Sequence, residues 1–241
     1  QLKRFIVLFM GIIGVICILG KDLLGMFVVL EGLDGCGKTT QTELVCKRFE
    51  ADGIDYKKIK LPDYESESSI LVRKYLAGDF GKNANDVNPY ATSVLYAADR
   101  FASYTEKWKN DYLAGKLIFA DRYTPANAIY QMTKLSKPQW DEYLDWLFDF
   151  EYNKIGIPEP DKVIFLDMPV EVSQKLMTQR YNGDENKKDV HEANVDFLNA
   201  CREAALYAAE KCGWFVVPCS KDGEPLSIEE INNAVYKIVV G

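Results

Sequence analysis

Histidine is almost missing from this chain. The single example is His191, and none of the six cysteines forms a C-x-x-C pair, so zinc-type ligand spacing is absent. In a chain of this length Cys17, Cys36, Cys46, Cys201, Cys212 and Cys219 read as reduced thiols of a cytoplasmic protein. Cys36 reads as a small filler residue. Positive charge is also short: 29 lysines and arginines against 36 acids give a net charge of -7. That excludes the broad basic footprint of a protein that binds a nucleic-acid polymer, while leaving room for a local basic pocket sized for one nucleotide. There is no internal repeat and no low-complexity tract. With 48% hydrophobic and 27% charged residues in 241, the composition is that of one globular domain with a sizeable core.

Long apolar runs are confined to one. Phe5 to Leu19, after Lys3 and Arg4, resembles a signal peptide, yet it is shorter than the ~20 residues of a spanning helix and no small-x-small cleavage site follows it. Met26 opens the first strand-like run. Residues 1–25 therefore read as an apolar extension, upstream translation or an anchor, and 26–241 as the working domain. Membrane association is expected only if that run is native.

Apolar runs of strand length alternate with amphipathic helix patterns, the signature of a parallel sheet covered on both faces. Strands are expected at Met26–Leu30, Tyr56–Leu61, Leu117–Asp121, Val163–Asp167 and Trp214–Pro218. Helices are expected at Lys38–Asp52, Ser68–Leu76, Pro89–Ala114, Pro125–Leu135, Pro138–Asn153, Pro169–Gln179, Asn194–Cys212 and Ser227–Val239. Two polar segments interrupt the order: Pro62–Ser69, and Tyr181–Glu192, which is a candidate lid.

Gly32-x-x-x-x-Gly37-Lys38-Thr39 lies directly after a strand and before a helix, which is the context of a P-loop. Its residues Gly32, Leu33, Asp34, Gly35, Cys36, Gly37, Lys38, Thr39 and Thr40 would hold ATP or GTP. Backbone N–H groups converge on phosphate oxygens, Lys38 reaches the outer phosphates and the Thr39 hydroxyl meets Mg²⁺. Asp34 is the odd member, a carboxylate inside an anion-binding loop. No D-x-x-G follows Asp121, and Asn186-Lys187-Lys188-Asp189 follows a polar run rather than a strand, so a GTPase switch is excluded.

Asp121-Arg122-Tyr123 ends the third strand, where ligands of open α/β sheets bind. Asp121 sits where a metal-orienting acid would, and the Arg122 fork suits a second phosphate; a plain ion pair is the other reading. Thr124 is a candidate N-cap, and Asn127, Tyr130 and Gln131 share one face of the helix that follows. On the long helix, Ala91, Val94, Ala98, Phe101 and Ala102 gather into an apolar stripe expected to face the core. Tyr96 and Arg100 then fall on the far side, solvated or set against a nucleobase.

Taken together, EGLDGCGKTTQ, LYAADR, ADRY followed by AIYQ, PEPDKVIFLDMP and KKDVHE resemble the thymidylate kinases, over essentially Met26 to Gly241. The resemblance implies a P-loop NTPase fold, a three-layer α/β/α domain with a five-stranded parallel sheet and a short lid at about 180–192. It implies transfer of the γ-phosphoryl of ATP to dTMP with Mg²⁺, in dTTP synthesis, and a homodimer. It also implies roles. Arg122 holds the dTMP phosphate and Asn127 helps place it; Tyr96 stacks on thymine and Arg100 bonds a thymine carbonyl. Tyr130 sits near the sugar C2′, Asp34 bonds the 3′-hydroxyl, and Tyr64 and Gln131 complete the acceptor wall. Thr39 and Asp121 serve the metal, and Lys38, Arg122, Asp34, Arg180 and Lys188 carry catalysis. The chain departs from the family at Leu61-Pro62-Asp63-Tyr64, where F-P-R-Y is frequent, so a cation near the acceptor is missing. The loop has Gly35 where many members have arginine, which assigns the catalytic cations to Arg180, Lys187 or Lys188 of the lid. Asp189 and Glu192 match lid acids or a helix start.

Overall fold

The computed structural model describes residues 25–81, 83, 86–180 and 194–241, with the side chains of residues 179 and 180 outside the description. The apolar run at Phe5–Leu19 and the lid residues Lys187, Lys188, Asp189 and Glu192 lie outside the described residues.

β1 (Phe27–Gly32) is buried at every position, because FVVLEG sends alternate side chains into two separate cores. Val28 and Leu30 join one; Phe27 and Val29 join the other. β2 (Tyr56–Lys60), β3 (Leu117–Asp121), β4 (Lys162–Asp167) and β5 (Phe215–Pro218) complete a parallel sheet of order β2-β3-β1-β4-β5. This is the expected five-stranded α/β/α architecture. α1 (Lys38–Ala51) and α9 (Ile228–Val240) cover one face through Val45, Phe49, Val235 and Val239. The other face carries Tyr104, Trp108 and Ile157, and beside them Ile129 of α5 (Pro125–Gln131) with Cys201 and Ala205 of α8 (Val195–Cys212). β1 and β3 are neighbours with Leu30 opposite Asp121, so the loop after β1 and the end of β3 open on one edge.

Some expected helices are not continuous. Pro89–Ala114 is α3 (Pro89–Ser103), a π turn Tyr104–Trp108 and α4 (Lys109–Leu113). The wider turn lets both rings, Tyr104 at 9% and Trp108 at 1% exposure, bury against the sheet, with Trp108 5.4 Å from Phe27. Pro138–Asn153 is α6 (Trp140–Phe148) running into a second π turn, Asp149–Ile155. α2 (Ile70–Leu76) follows a 3-10 turn, Glu67–Ser69, and α7 is Val170–Arg180. A small antiparallel pair, β6 (Ser220–Lys221) and β7 (Glu224–Pro225), was not expected.

α3 corrects the sequence reading outright. Ala91, Val94, Ala98 and Phe101 are exposed, Val94 at 43% and Phe101 at 45%, while Thr92, Ser93, Ala97, Asp99 and Arg100 face inward. The polar side wins because its groups have partners. Ser93 Oγ lies 2.6 Å from Tyr143 Oη, and Asp99 accepts from Ser68 Oγ at 2.6 Å and from the Asp63 N–H at 2.9 Å. Satisfied polar groups bury at little cost, so counting apolar residues picked the wrong face.

Candidate active site

Gly35 and Gly37 take φ of 77° and 85°, left-handed values that a side chain would strain, and the turn they make leads into α1 at Lys38. At Gly32 a Cβ would stand 2.5 Å from Cys36 Sγ, so the strand end must be bare for Cys36 to pack over it. Cys36 is buried, and burial pushes its thiol up, as suits a filler rather than a nucleophile. At Gly35 a Cβ would meet Met177 of α7 at 2.9 Å. That contact fills the place where a loop side chain would sit. Lys38 is 9% exposed, with Nζ 3.8 Å from Asp121.

The end of β3 is strained. Arg122 has φ 70°, a conformation costing a non-glycine residue of order 1–3 kcal/mol. Two hydrogen bonds hold it: Arg122 N donates to Leu30 O at 3.1 Å and Tyr123 N to Glu31 Oε1 at 3.0 Å. The guanidinium then lies over the Tyr130 ring at 5.3 Å and reaches Asp34 Oδ1 at 2.6 Å. The carboxylate inside the anion-binding loop is thus paired with the arginine at the end of β3. With side chains 23% and 28% exposed, the pair is worth about 1 kcal/mol or less. An arriving phosphate has little to displace.

One cavity of about 360 Å³ opens beside this pair. It is lined by Asp34, Lys38, Thr39, Asp121 and Arg122 at the phosphate end and by Tyr64, Tyr96, Arg100, Asn127, Tyr130 and Gln131 elsewhere. Gly32, Leu33, Gly35, Cys36, Gly37 and Thr40 shape the loop without lining it. Asn127, Tyr130 and Gln131 of α5 thus share the cavity wall. Thr124 stands at the N-cap position as expected, but its side chain does not cap the helix: the hydroxyl donates to Glu151 at 2.8 Å instead. Gln131 is 4% exposed with Oε1 unpartnered, and the Tyr130 hydroxyl is unpartnered as well.

Arg100 requires a correction and discloses a residue the sequence did not. It is 3% exposed rather than solvated, and its Nε and Nη2 donate to Glu151 at 2.6 and 2.5 Å. Glu151, wholly buried in the second π turn, also accepts from Thr124 and, at 3.3 Å, from Asn127. One carboxylate thus fixes two residues that line the cavity, Arg100 and Asn127, and Thr124 beside them. Removing either charge of such a buried pair costs about 3–5 kcal/mol. Lys134 was also missed. Its Nζ donates only to neutral oxygens, Tyr75 Oη at 3.0 Å and Val87 O and Thr92 Oγ1 at 3.2 Å, and burial lowers its pKa to about 8. Asp63 does not face the cavity; it pairs with Lys107.

The loop fits a nucleoside triphosphate: two left-handed glycines, a helix N-terminus and a buried lysine converge there. Among the described residues no three His, Cys, Asp or Glu could cage a metal. Mg²⁺ is commonly held by one or two protein groups together with waters and phosphate oxygens, so Thr39 and Asp121, both lining the cavity, are residues that could hold it.

The thymidylate kinase family model matches residues 30–231. The chain belongs to the thymidylate kinase family. A probable thymidylate kinase of Thermococcus onnurineus is 31% identical over 221 residues, 89% of this chain and 97% of the relative. One from Pyrococcus abyssi is 36% identical over 68% of this chain and 75% of the relative, and the thymidylate kinase of Mycobacterium tuberculosis 28% over 82% and 93%.

Burial pushes the Glu31 carboxyl from 4.5 up to about 7, against the pull of Arg122, the Tyr123 N–H and Lys38. A raised folded pKa means that the native chain keeps a proton that the unfolded chain has released. This stabilisation is complete below pH 4.5 and is lost as pH rises through about 7. Glu31→Gln, which keeps the shape of the neutral acid, should therefore be more stable than the parent by about 2–3 kcal/mol at pH 8 and equal to it at acid pH. Urea midpoints at both pH values measure this; a difference independent of pH contradicts it.

Proposed function

We infer that the chain transfers the γ-phosphoryl of ATP to dTMP, giving dTDP and ADP. The observation that carries this is the Asp34–Arg122 pair, which joins the donor loop to an acceptor wall across one cavity. Membership of the thymidylate kinase family identifies the acceptor, and dTTP synthesis is the use of the product.

Catalysis rests on positioning and charge. Lys38 and the loop N–H groups hold the ATP phosphates. Thr39 and Asp121 would hold Mg²⁺, which would supply neutralisation of the phosphate charge. Arg122 takes the acceptor phosphate, and Asp34, released from it, accepts the sugar 3′-hydroxyl. Tyr96 forms the wall on which the base stacks, and Tyr64 closes that side. Arg100, steadied by Glu151, offers its remaining Nη1 to a base carbonyl, while the unpartnered Gln131 Oε1 suits a base N–H. Asn127 places the acceptor, and the buried ring of Tyr130 disfavours a ribose 2′-hydroxyl. An acceptor phosphate oxygen is already nucleophilic near neutral pH, so no general base is required. Arg180 and Lys188 of the lid are our choice for the cations that meet the moving phosphoryl. The cytoplasm, where ATP is abundant, is the proposed site of action.

We further propose that two copies associate through α3. The support is the exposed stripe Ala91, Val94, Ala98 and Phe101, an apolar face of the kind that marks interaction surfaces. No described helix is long and apolar enough to cross a membrane.

With Mg-ATP and a panel of nucleoside monophosphates, dTDP should form from dTMP; its absence overturns the reading. Arg122→Ala should cut kcat/KM for dTMP by about 100-fold or more, in line with the loss of a charged hydrogen-bonding pair. Asp34→Ala should impair dTMP use more than ATP binding, and an equal loss of both would leave Asp34 a loop-shaping residue only. Light scattering should give a dimer mass that Phe101→Glu reduces to the monomer; a monomeric parent refutes the α3 interface.

A further inference from the structure

Of the cations lining the cavity, all but one have polar partners for the side chain among the described residues. Lys38 stands by Asp121, Arg122 by Asp34, and Arg100 by Glu151. Lys134 spends its hydrogen bonds on neutral oxygens. Asp99, the remaining lining acid, is occupied by Ser68 and the Asp63 N–H. Lys60, the last residue of β2, lines the same cavity, is exposed, and has no ion pair or hydrogen bond among the described residues.

Its direction follows from the sheet. Lys60 is the register partner of Asp121 in the parallel β2–β3 pair, and partners in register project to the same face. Along β3, Leu117 and Phe119 pack in the core beneath α1, so Asp121 two residues on shares that face, and Lys60 with it. That is the side where α1 begins, with Lys38 and Thr39 at its N-terminus. A lysine at a strand end, aimed at the phosphate end of a cavity and lacking a carboxylate, is a charge waiting for an anion.

We propose that Lys60 binds the phosphate of the monophosphate acceptor, opposite Arg122. The acceptor dianion then lies between two cations on adjacent strand ends. Lys60 is not replaced in this role by Lys107, which is held by Asp63. The inference rests on the two-nucleotide reading of the cavity.

Lys60→Ala, at an exposed site, leaves the core intact, and Lys60→Arg keeps the charge. The parent is first shown to turn over dTMP; failure there removes the function, not the role of Lys60 alone. KM for dTMP, KM for ATP, and the inhibition constant of thymidine, which has the same base and sugar without the phosphate, are then compared. Lys60→Ala should raise KM for dTMP about tenfold, the low end for a charged hydrogen bond. It should leave ATP and thymidine within about twofold, and Lys60→Arg should restore dTMP binding. An unchanged KM for dTMP, or losses of similar size for thymidine or ATP, overturns the proposal.

Discussion

Arg122 is held in a backbone conformation it would not choose, and the site depends on that restraint. The β1 strand supplies the hold from both its backbone and a buried side chain, Leu30 O and Glu31 Oε1. Only with the chain bent there does the guanidinium leave the strand end sideways, over Tyr130 and against Asp34. The central strand thus sets both sides of the cavity: its end runs into the P-loop, and Leu30 and Glu31 fix the backbone at Arg122. A strained residue persists where its surroundings over-determine it, and here a wholly buried acid does so.

A second restraint works from the opposite wall. Glu151 collects Arg100, Thr124 and Asn127 from two helices and a strand end. That side of the cavity is therefore a connected network rather than a set of independent side chains. The two ion pairs differ in burial. The Asp34–Arg122 pair is partly exposed and exchangeable, whereas the Arg100–Glu151 pair is sealed at 3% and 0% exposure. The Arg122 side of the cavity is thus open to exchange with solvent, and the Arg100 side is fixed by burial.

The strands were legible because a parallel sheet buried on both faces needs unbroken apolar runs, as in FVVLEG and KVIFLD. The P-loop was legible because phosphate binding requires specific residues at fixed spacing. Gly35 and Gly37 could be read, but Met177 against Gly35 could not, since nothing local joins residues so far apart. α3 was misread because its buried side is polar and its exposed side apolar, which inverts the usual signal. Glu151 had no signal at all: one acid between Phe150 and Tyr152 says nothing about three partners on other elements. π turns depend on what packs against them, so the sequence of Pro89–Ala114 reads as one uninterrupted helix.

Met177 shapes the P-loop from outside it. Its side chain fills the volume above Gly35, where the backbone is left-handed. A side chain at position 35 would be strained by that backbone and would have to push the Met177 side chain aside. Shrinking Met177 would leave a void against the loop, a change that costs about 2–5 kcal/mol in a packed core. The loop and α7 are thus a matched pair, and a change of volume at residue 35 or residue 177 is felt at the other.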